Sequence, residues 1–332
     1  MPATSEGTAH YVSRHQEYDA AGCYRMVFDL QVSSLGIGTY LGGTDDASDR
    51  AYTEALIAAG EGGINFFDAA INYRNQRSER AIGAALQRLE RGEVVVSTKA
   101  GFLTPGAVPD FLKPGDVAGG MHSMEPRFLA DQIERSRANL GVDTIDIFYL
   151  HNPETQLGYS SRADFEERVR RAFAQLERLA DEGKLRWYGA ATWDGFRKDN
   201  SLDLARLAQI AAEEGGAGHR FRFIQLPFNL AMVEAFVGRP ESVLEKAARL
   251  GIAVVASATL LQARMLGQMP DALPDLLPGL ATGAQRAIQF TRSTPGIAVA
   301  LVGMGRRAHV EENLGVARVA PATGDQYLRL YR

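Results

Sequence analysis

A single cysteine, Cys23, among 332 residues has no partner within the chain. No internal disulfide is therefore expected, and the composition is compatible with a reducing compartment. The simplest role for Cys23 is that of a small buried hydrophobe. No apolar run reaches the roughly 18 residues that a membrane-spanning helix needs. The polar N-terminus also lacks the apolar core of a secretory signal. Long runs of one charge sign are missing and the formal net charge is only −4, so nothing marks a surface for nucleic acid or acidic membranes. The spacings H-x₃-H and C-x₂-C are absent, and no metal is expected. These absences lead to the expectation of a soluble, cytoplasmic protein whose partners are small molecules, with no nucleic acid and no membrane. They leave the oligomeric state open.

What is present is a hydrophobic fraction of 45%, distributed as short apolar runs between amphipathic stretches. That pattern gives a parallel sheet covered by helices. Strands are predicted near 34–39, 64–68, 94–98, 145–150, 185–190, 222–226, 252–256 and 297–302, and eight is the number that closes a barrel. Helices are predicted near 48–61, 78–91, 126–140, 163–182, 201–214, 240–250 and 307–316. The fold class is α/β: a single-domain (β/α)₈ TIM barrel with an N-terminal β-hairpin and long loops at its C-terminal face. Residues 1–23 read as a flexible N-terminal extension, 24–320 as the barrel and 321–332 as a short tail. A hairpin over Tyr24–Val32 is positioned to plug the barrel's bottom. The irregular stretches Leu103–Glu125 and Leu260–Pro278 are expected to rim its mouth, together with Asn152–Ser161.

Titratable residues stand at the ends of three successive predicted strands. Gly63-Ile64-Asn65-Phe66-Phe67-Asp68 ends in Asp68, with Tyr73 five residues on. Val94-Val95-Val96-Ser97-Thr98-Lys99 ends in Lys99, and Ile145-Asp146-Ile147-Phe148-Tyr149-Leu150-His151 ends in His151. In a parallel barrel such ends converge on the face where catalysis is found. A phenol, with its pKa of about 10, donates poorly near neutrality. A neighbouring ammonium stabilises the phenolate and is expected to lower that value, while an aspartate holds the ammonium. A histidine can then hydrogen-bond and orient a substrate oxygen. The set suits protonation of the alkoxide formed when a carbonyl is reduced. No side chain supplies hydride, so a nicotinamide cofactor is implied. Each residue alone also has a structural reading, as a turn cap, a half-buried aromatic, a solvated charge or a hydrogen-bonded core histidine. All four would have to hold at once.

These residues carry a resemblance to the aldo-keto reductase family. Asp68-Ala69-Ala70-Ile71-Asn72-Tyr73 resembles its Asp-x₄-Tyr signature, Ser97-Thr98-Lys99 its lysine strand, and Tyr149-Leu150-His151-Asn152 its histidine strand. The similarity runs from about Leu35 to Leu314. It implies a barrel that uses NADPH, with NADH possible as the alternative cofactor, and a catalytic set of Tyr73 as acid, Lys99 and Asp68 as its tuners and His151 as the substrate-orienting group. It also implies a cofactor site. Thr192, after Ala191 where the family has serine, and Gln225 fall on positions that hold the nicotinamide carboxamide. Ser257 falls where the family often stacks an aromatic ring. Gly38, Thr39, Asp68 and Leu260 are expected beside the same ligand.

The run Ala300-Leu301-Val302-Gly303-Met304-Gly305-Arg306-Arg307-Ala308 imitates a dinucleotide fingerprint. Too little chain follows it for a second βαβ half, and it fits better as the phosphate site that barrels build after their eighth strand. Arg306 and Arg307 suit a 2′-phosphate, and His309, Glu312 and Asn313 match the adenosine-holding run. Substrate contacts are expected from Tyr73, His151, Asn152 and Trp193, with Met124 as a further pocket-lining candidate. The predicted function is NAD(P)H-dependent reduction of an aldehyde or ketone, such as a sugar or other small carbonyl, to the alcohol. The alternatives are an NAD-dependent alcohol or sugar dehydrogenase working oxidatively, a cofactor-binding regulatory subunit with little turnover, and lyase or isomerase chemistry without net redox change.

Overall fold

The computed structural model describes residues 1–197, 202–267, 269–270 and 273–331. It opens with two short helices, α1 (Ser5–Ser13) and α2 (Gln16–Ala20), and an antiparallel hairpin of β1 (Tyr24–Val27) and β2 (Leu30–Ser33). Eight parallel strands then close a barrel: β3 (Leu35–Gly38), β4 (Phe66–Asp68), β5 (Val95–Ala100), β6 (Ile145–His151), β7 (Leu185–Ala191), β8 (Phe221–Pro227), β9 (Ala253–Ser257) and β10 (Ile297–Gly303). Each predicted strand is found, and pairing of β10 with β3 completes the ring.

The covering helices are α3 (Asp46–Gly62), α4 (Arg77–Leu86), α5 (Pro126–Leu140), α6 (Arg162–Asp181), α7 (Leu204–Gly215), α8 (Glu234–Val237), α9 (Val243–Arg249), α10 (Leu273–Leu276), α11 (Gly283–Ser293), α12 (Arg307–Asn313) and α13 (Gly324–Leu328). Their starts follow from local chemistry. The Asp45 carboxylate accepts from the Ser48 amide, and Glu125 accepts from the Phe128 amide just ahead of a proline in the first turn. Both satisfy amides that the first turn leaves without helical partners. Among the described residues no helix is long and apolar enough to cross a membrane.

The hairpin plugs the barrel as expected. Val27, Leu30 and Val32 join Phe66, Val95, Phe223 and Val299 in one buried cluster. Phe28, in the tight turn, packs on Trp187 at 5.3 Å and on Phe223 at 5.5 Å between ring centroids. A second, larger cluster lies between the strands and the helices. Burial of these apolar side chains is the main favourable term in the fold.

Four features go beyond the expected elements. The N-terminal stretch, expected as a flexible extension, carries helix α1, in which Tyr11 is buried and its hydroxyl donates to the Gly60 carbonyl at 2.7 Å, while Arg14 pairs with Glu93 at 2.6 Å. Its polar sequence hid a helix anchored by one aromatic ring. The C-terminal tail is docked too, through buried Tyr327, whose hydroxyl lies 2.6 Å from that of Thr294. Helix α4 stops at Leu86 rather than near 91, and a short 3₁₀ turn at Arg91–Glu93 leads into β5. Helix α11 was not anticipated. Its Thr282/Gln285 capping box marks its start, but Gln285, Gln289, Thr291, Arg292 and Ser293 are all buried polar residues and blur its apolar period. Of the other predicted ranges, position 201 of the helix near 201–214, positions 268, 271 and 272 of Leu260–Pro278, and Arg332 of the tail lie outside the described residues.

Candidate functional site

Parallel pairing brings the ends of β4, β5 and β6 side by side, with Asp68 opposite Ser97 and Lys99 opposite Tyr149. Asp68 is the hub. Its Oδ2 accepts from Lys99 Nζ at 2.6 Å, and its Oδ1 accepts from Ser97 Oγ at 2.7 Å and from Gln225 Nε2 at 2.9 Å. The ammonium also donates to the Ala69 carbonyl at 2.6 Å. Both side chains are almost fully buried, where an ion pair is tolerated only when its remaining hydrogen-bonding positions are filled. Here several are filled, by Ser97 of β5, the Ala69 carbonyl just past β4, and Gln225 of β8 across the barrel.

Tyr73 stands above this pair on the turn that follows β4. Its ring packs edge-on against Tyr40 at 4.9 Å and His151 at 5.7 Å, and Lys99 Nζ lies 4.9 Å from its centroid. The lysine thus approaches the ring face, and its charge is already compensated by Asp68. Burial, followed by the Asp68 carboxylate, pushes the Tyr73 phenol well above its usual value. Tyr73 therefore keeps its proton at neutral pH. Burial lowers Lys99, an effect that Asp68 opposes. Burial, with Lys99 adding to it, holds His151 well below the ordinary imidazole range, so the ring is neutral at neutral pH.

These groups face a cavity of about 720 Å³ at the mouth of the barrel. Of the residues expected there, Gly38, Thr39, Asp68, Tyr73, His151, Asn152, Thr192, Trp193, Gln225, Ser257, Leu260, Gly303 and His309 do line it. Lys99 sits just beneath, behind Asp68. Gly305, Arg306, Arg307, Glu312 and Asn313 are not on its wall. Gly305 faces the Tyr52 ring, and Arg307 is exposed and paired with Glu311 at 2.7 Å. Glu312 accepts from Thr282 at 2.9 Å and Asn313 is buried. Met124 is buried away from the cavity, and only Phe102, just ahead of the Leu103–Glu125 loop, reaches it.

The sequence reading missed Tyr40, Asn72, Phe102, Thr259 and Leu301 on the wall. Position gives a signal for two of them: Asn72 immediately precedes Tyr73, and Phe102 lies three residues past Lys99. The segment Leu261–Ala263 also reaches the wall, with three successive left-handed non-glycine residues at φ 45°, 56° and 65°. Such backbone strain gathers at binding sites. Four polar atoms around the cavity are buried without a partner: Asn72 Oδ1, His151 Nδ1, Thr192 Oγ1 and Thr259 Oγ1. A buried polar atom without a partner costs free energy, and a polar ligand in this space would supply one.

Fold and site together define a closed parallel barrel with Asp68, Tyr73, Lys99 and His151 clustered at the carboxyl ends of its strands. The chain belongs to the Aldo/keto reductase family, whose profile matches residues 34–271. It is 32% identical over 190 residues to the NADH-specific methylglyoxal reductase of Escherichia coli (strain K12), a match covering 56% of each chain. It is 35% identical over 172 residues to the D-threo-aldose 1-dehydrogenase of Pseudomonas sp, covering 48% of this chain and 50% of that protein. The chain therefore spans about half the length of these curated relatives. Among solved structures, an aldo/keto reductase from Klebsiella pneumoniae in complex with NADP and acetate superposes with a TM-score of 0.65 at 21% identity, over 92% of this chain and 93% of that one. The glycerol dehydrogenase from Gluconobacter oxydans gives 0.67 at 21% identity, over 94% of both. At that identity the likeness is one of fold.

Proposed function

We propose that this protein is a nicotinamide-dependent oxidoreductase that reduces an aldehyde or ketone to the alcohol, with Tyr73 as the proton donor. One observation carries the reading: a half-buried, protonated Tyr73 stands between neutral His151 and the Lys99–Asp68 pair, facing a cavity of about 720 Å³. The unpartnered Thr192 hydroxyl and the neighbouring Gln225 suit a carboxamide. Gly303, to which a Cβ could be added without meeting any atom within 4 Å, leaves room for a phosphate-bearing chain to leave the barrel. NADPH fits these features, with Arg306 nearby as a cation for a 2′-phosphate. When bound, the nicotinamide supplies hydride to the carbonyl carbon.

The protein's own residues do the rest. Neutral His151 presents its ring to the substrate oxygen and orients it. The proton on Tyr73 Oη passes to that oxygen as negative charge develops there. The phenolate left behind lies beside the Lys99 ammonium, which Asp68, Ser97 and Gln225 keep in register. The apolar surface that Phe102 and Leu301 add to the wall strengthens each of these interactions.

The substrate class follows from the wall. Among the described residues no lysine or arginine side chain lines the cavity, and much of it is aromatic or aliphatic. An uncharged carbonyl compound fits better than a keto acid. A second reading, an NAD-dependent alcohol dehydrogenase, draws support from the involvement of Arg307 with Glu311, which leaves Arg306 as the nearer cation for a 2′-phosphate. The lone, buried Cys23 suits a cytoplasmic setting.

Fluorescence titration with NADPH and NADH, followed by turnover on a panel of neutral and carboxylated aldehydes, tests these assignments. Binding with turnover of the neutral members is expected. Tight binding with slow exchange and negligible turnover would instead indicate a regulatory subunit, and no binding of either nucleotide would remove the redox reading.

A further inference from the structure

Behind His151, on the side away from the cavity, lies a second buried histidine that the mechanism does not use. His122, from the loop between β5 and α5, is fully buried, and its Nε2 lies 2.8 Å from the backbone carbonyl of His151. Its other nitrogen, Nδ1, is 2.9 Å from Gln156 Nε2, and the same amide nitrogen lies 3.3 Å from the His122 carbonyl. The oxygen of that amide, Gln156 Oε1, accepts from Arg168 Nη1.

The direction of this chain is set by its outer end. A guanidinium can only donate, so Gln156 must turn its oxygen to Arg168 and its NH₂ to His122. The His122 carbonyl, an obligate acceptor, requires the same orientation of that amide. Nδ1 therefore accepts, and the single proton of the neutral ring resides on Nε2, where it meets an obligate acceptor in the His151 carbonyl. Burial lowers His122 to about 4, which keeps the ring neutral over the working range.

A second contact runs in parallel. Phe102 packs edge-on against His122 at 5.2 Å and against His151 at 5.1 Å, both at 89°. His122 thus reaches the backbone of His151 directly and its ring through Phe102. Gly101 is part of the arrangement: a Cβ there would stand 2.5 Å from His122 Nε2 and 2.7 Å from the His151 carbonyl oxygen, between donor and acceptor.

We infer that His122 is a positioning residue for His151, holding it toward the substrate, and that Arg168, through Gln156, selects the His122 tautomer that does so. The inference rests on the reading of His151 as the group that orients the substrate oxygen. Its structural part, the tautomer, can be measured without turnover.

Long-range ¹H–¹⁵N spectra of the full chain labelled with ¹⁵N-histidine, with His122 assigned by comparison with His122→Phe, should show a protonated Nε2 and a bare Nδ1 near neutral pH. A proton on Nδ1 would overturn the assignment. His122→Phe retains a ring against Phe102 but removes the donor. It should lower kcat about tenfold, as expected when a reacting group loses its alignment, with the NADPH dissociation constant within about twofold of the parent.

Arg168→Met lies at the far end of the chain, away from the cavity, and keeps the proposal testable if His122→Phe does not fold. It should lower kcat about threefold, and Arg168→Lys, which restores a donor, should recover most of the loss. Parental kcat in a folded His122→Phe, or Arg168→Met and Arg168→Lys behaving alike, would overturn the positioning role. If instead the parent chain turns over no carbonyl while the Nε2 proton is found, the functional reading falls and the relay's geometry stands.

Discussion

At the ends of β4, β5 and β6, charges are partnered with one another, whereas where β10 runs into α12 the candidate cationic groups are exposed at the surface. Asp68 alone gathers Lys99, Ser97 and Gln225, and Tyr73 is wedged between two rings over the ammonium. By contrast Arg306, Arg307 and His309 are exposed, and Arg307 is paired with Glu311. The chemical end is thus preorganised, the condition under which fixed charges and dipoles act most strongly on a transition state. At the candidate anion-binding end the cations are surface charges, which water and salt screen. Substitutions at the first should change rate and stability sharply. Those at the second should change affinity modestly and in a salt-dependent way.

The largest effect should come from Tyr73→Phe, which removes the donor with little change in volume. Turnover should fall by about 10² or more, the scale of general-acid loss, while nucleotide binding persists in the fluorescence titration. Parental turnover in this variant would dissolve the contrast drawn above, because the preorganised end would then have no chemical role.

Lys99→Met tests the same end through stability. It leaves the Asp68 carboxylate buried without its cation, and breaking such a pair costs about 3–5 kcal/mol. Urea unfolding should show a loss of that order, together with loss of turnover. A stability change under about 1 kcal/mol would mean that Ser97, Gln225 or entering water compensates the carboxylate.

Much of this arrangement can be read in the sequence, for a physical reason. A strand buried on both faces is written as an apolar run, so a titratable residue at its end stands out and its side is set by the parallel fold. Asp68, Lys99 and His151 were legible on that basis. The upward direction of the Tyr73 shift was not, since it depends on how the fold surrounds the phenol. Loop courses were less legible still. The Leu103–Glu125 segment was expected over the mouth, but it folds back to deliver His122 to Gln156 and His151. Helix α1 escaped because one buried ring, Tyr11, anchors an otherwise polar segment. Arg306 and Arg307 follow β10, yet adjacency in sequence could not show that both are exposed and off the cavity wall.

A smaller effect should appear in the pH dependence of stability. His122 has a folded-state value of about 4 against an ordinary 6.5. Between those values the unfolded chain binds the proton and the folded chain does not, so stability rises with pH across this window. The contribution is fully present above about pH 6.5 and is lost as pH falls toward 4. Its size is about 3 kcal/mol. His151 acts in the same direction, its value also being lowered by burial. Urea unfolding at pH 7.5 and pH 5 should therefore give a weaker fold at the lower pH. In His122→Phe part of that difference should vanish, and an unchanged difference would show that His122 is not held neutral by burial.

The smallest effect is expected at the exposed end, and it separates the two arginines. Arg307 already has Glu311 as a partner, so recruiting it to a phosphate would break an existing, weak surface pair. Arg306 carries no ion pair among the described residues. Arg306→Ala should weaken NADPH by about three- to tenfold and leave NADH nearly unchanged, the range expected for one exposed charge on a phosphate. Arg307→Ala should do less. Because both side chains are exposed, the Arg306 effect should shrink as salt is raised from low ionic strength to about 0.3 M. Equal losses for NADPH and NADH would show that Arg306 does not read the 2′-phosphate. A salt-independent loss well above tenfold would mean that the loop after β10 closes over the ligand and buries the charge, and the two ends of the cavity would then be alike in the bound state.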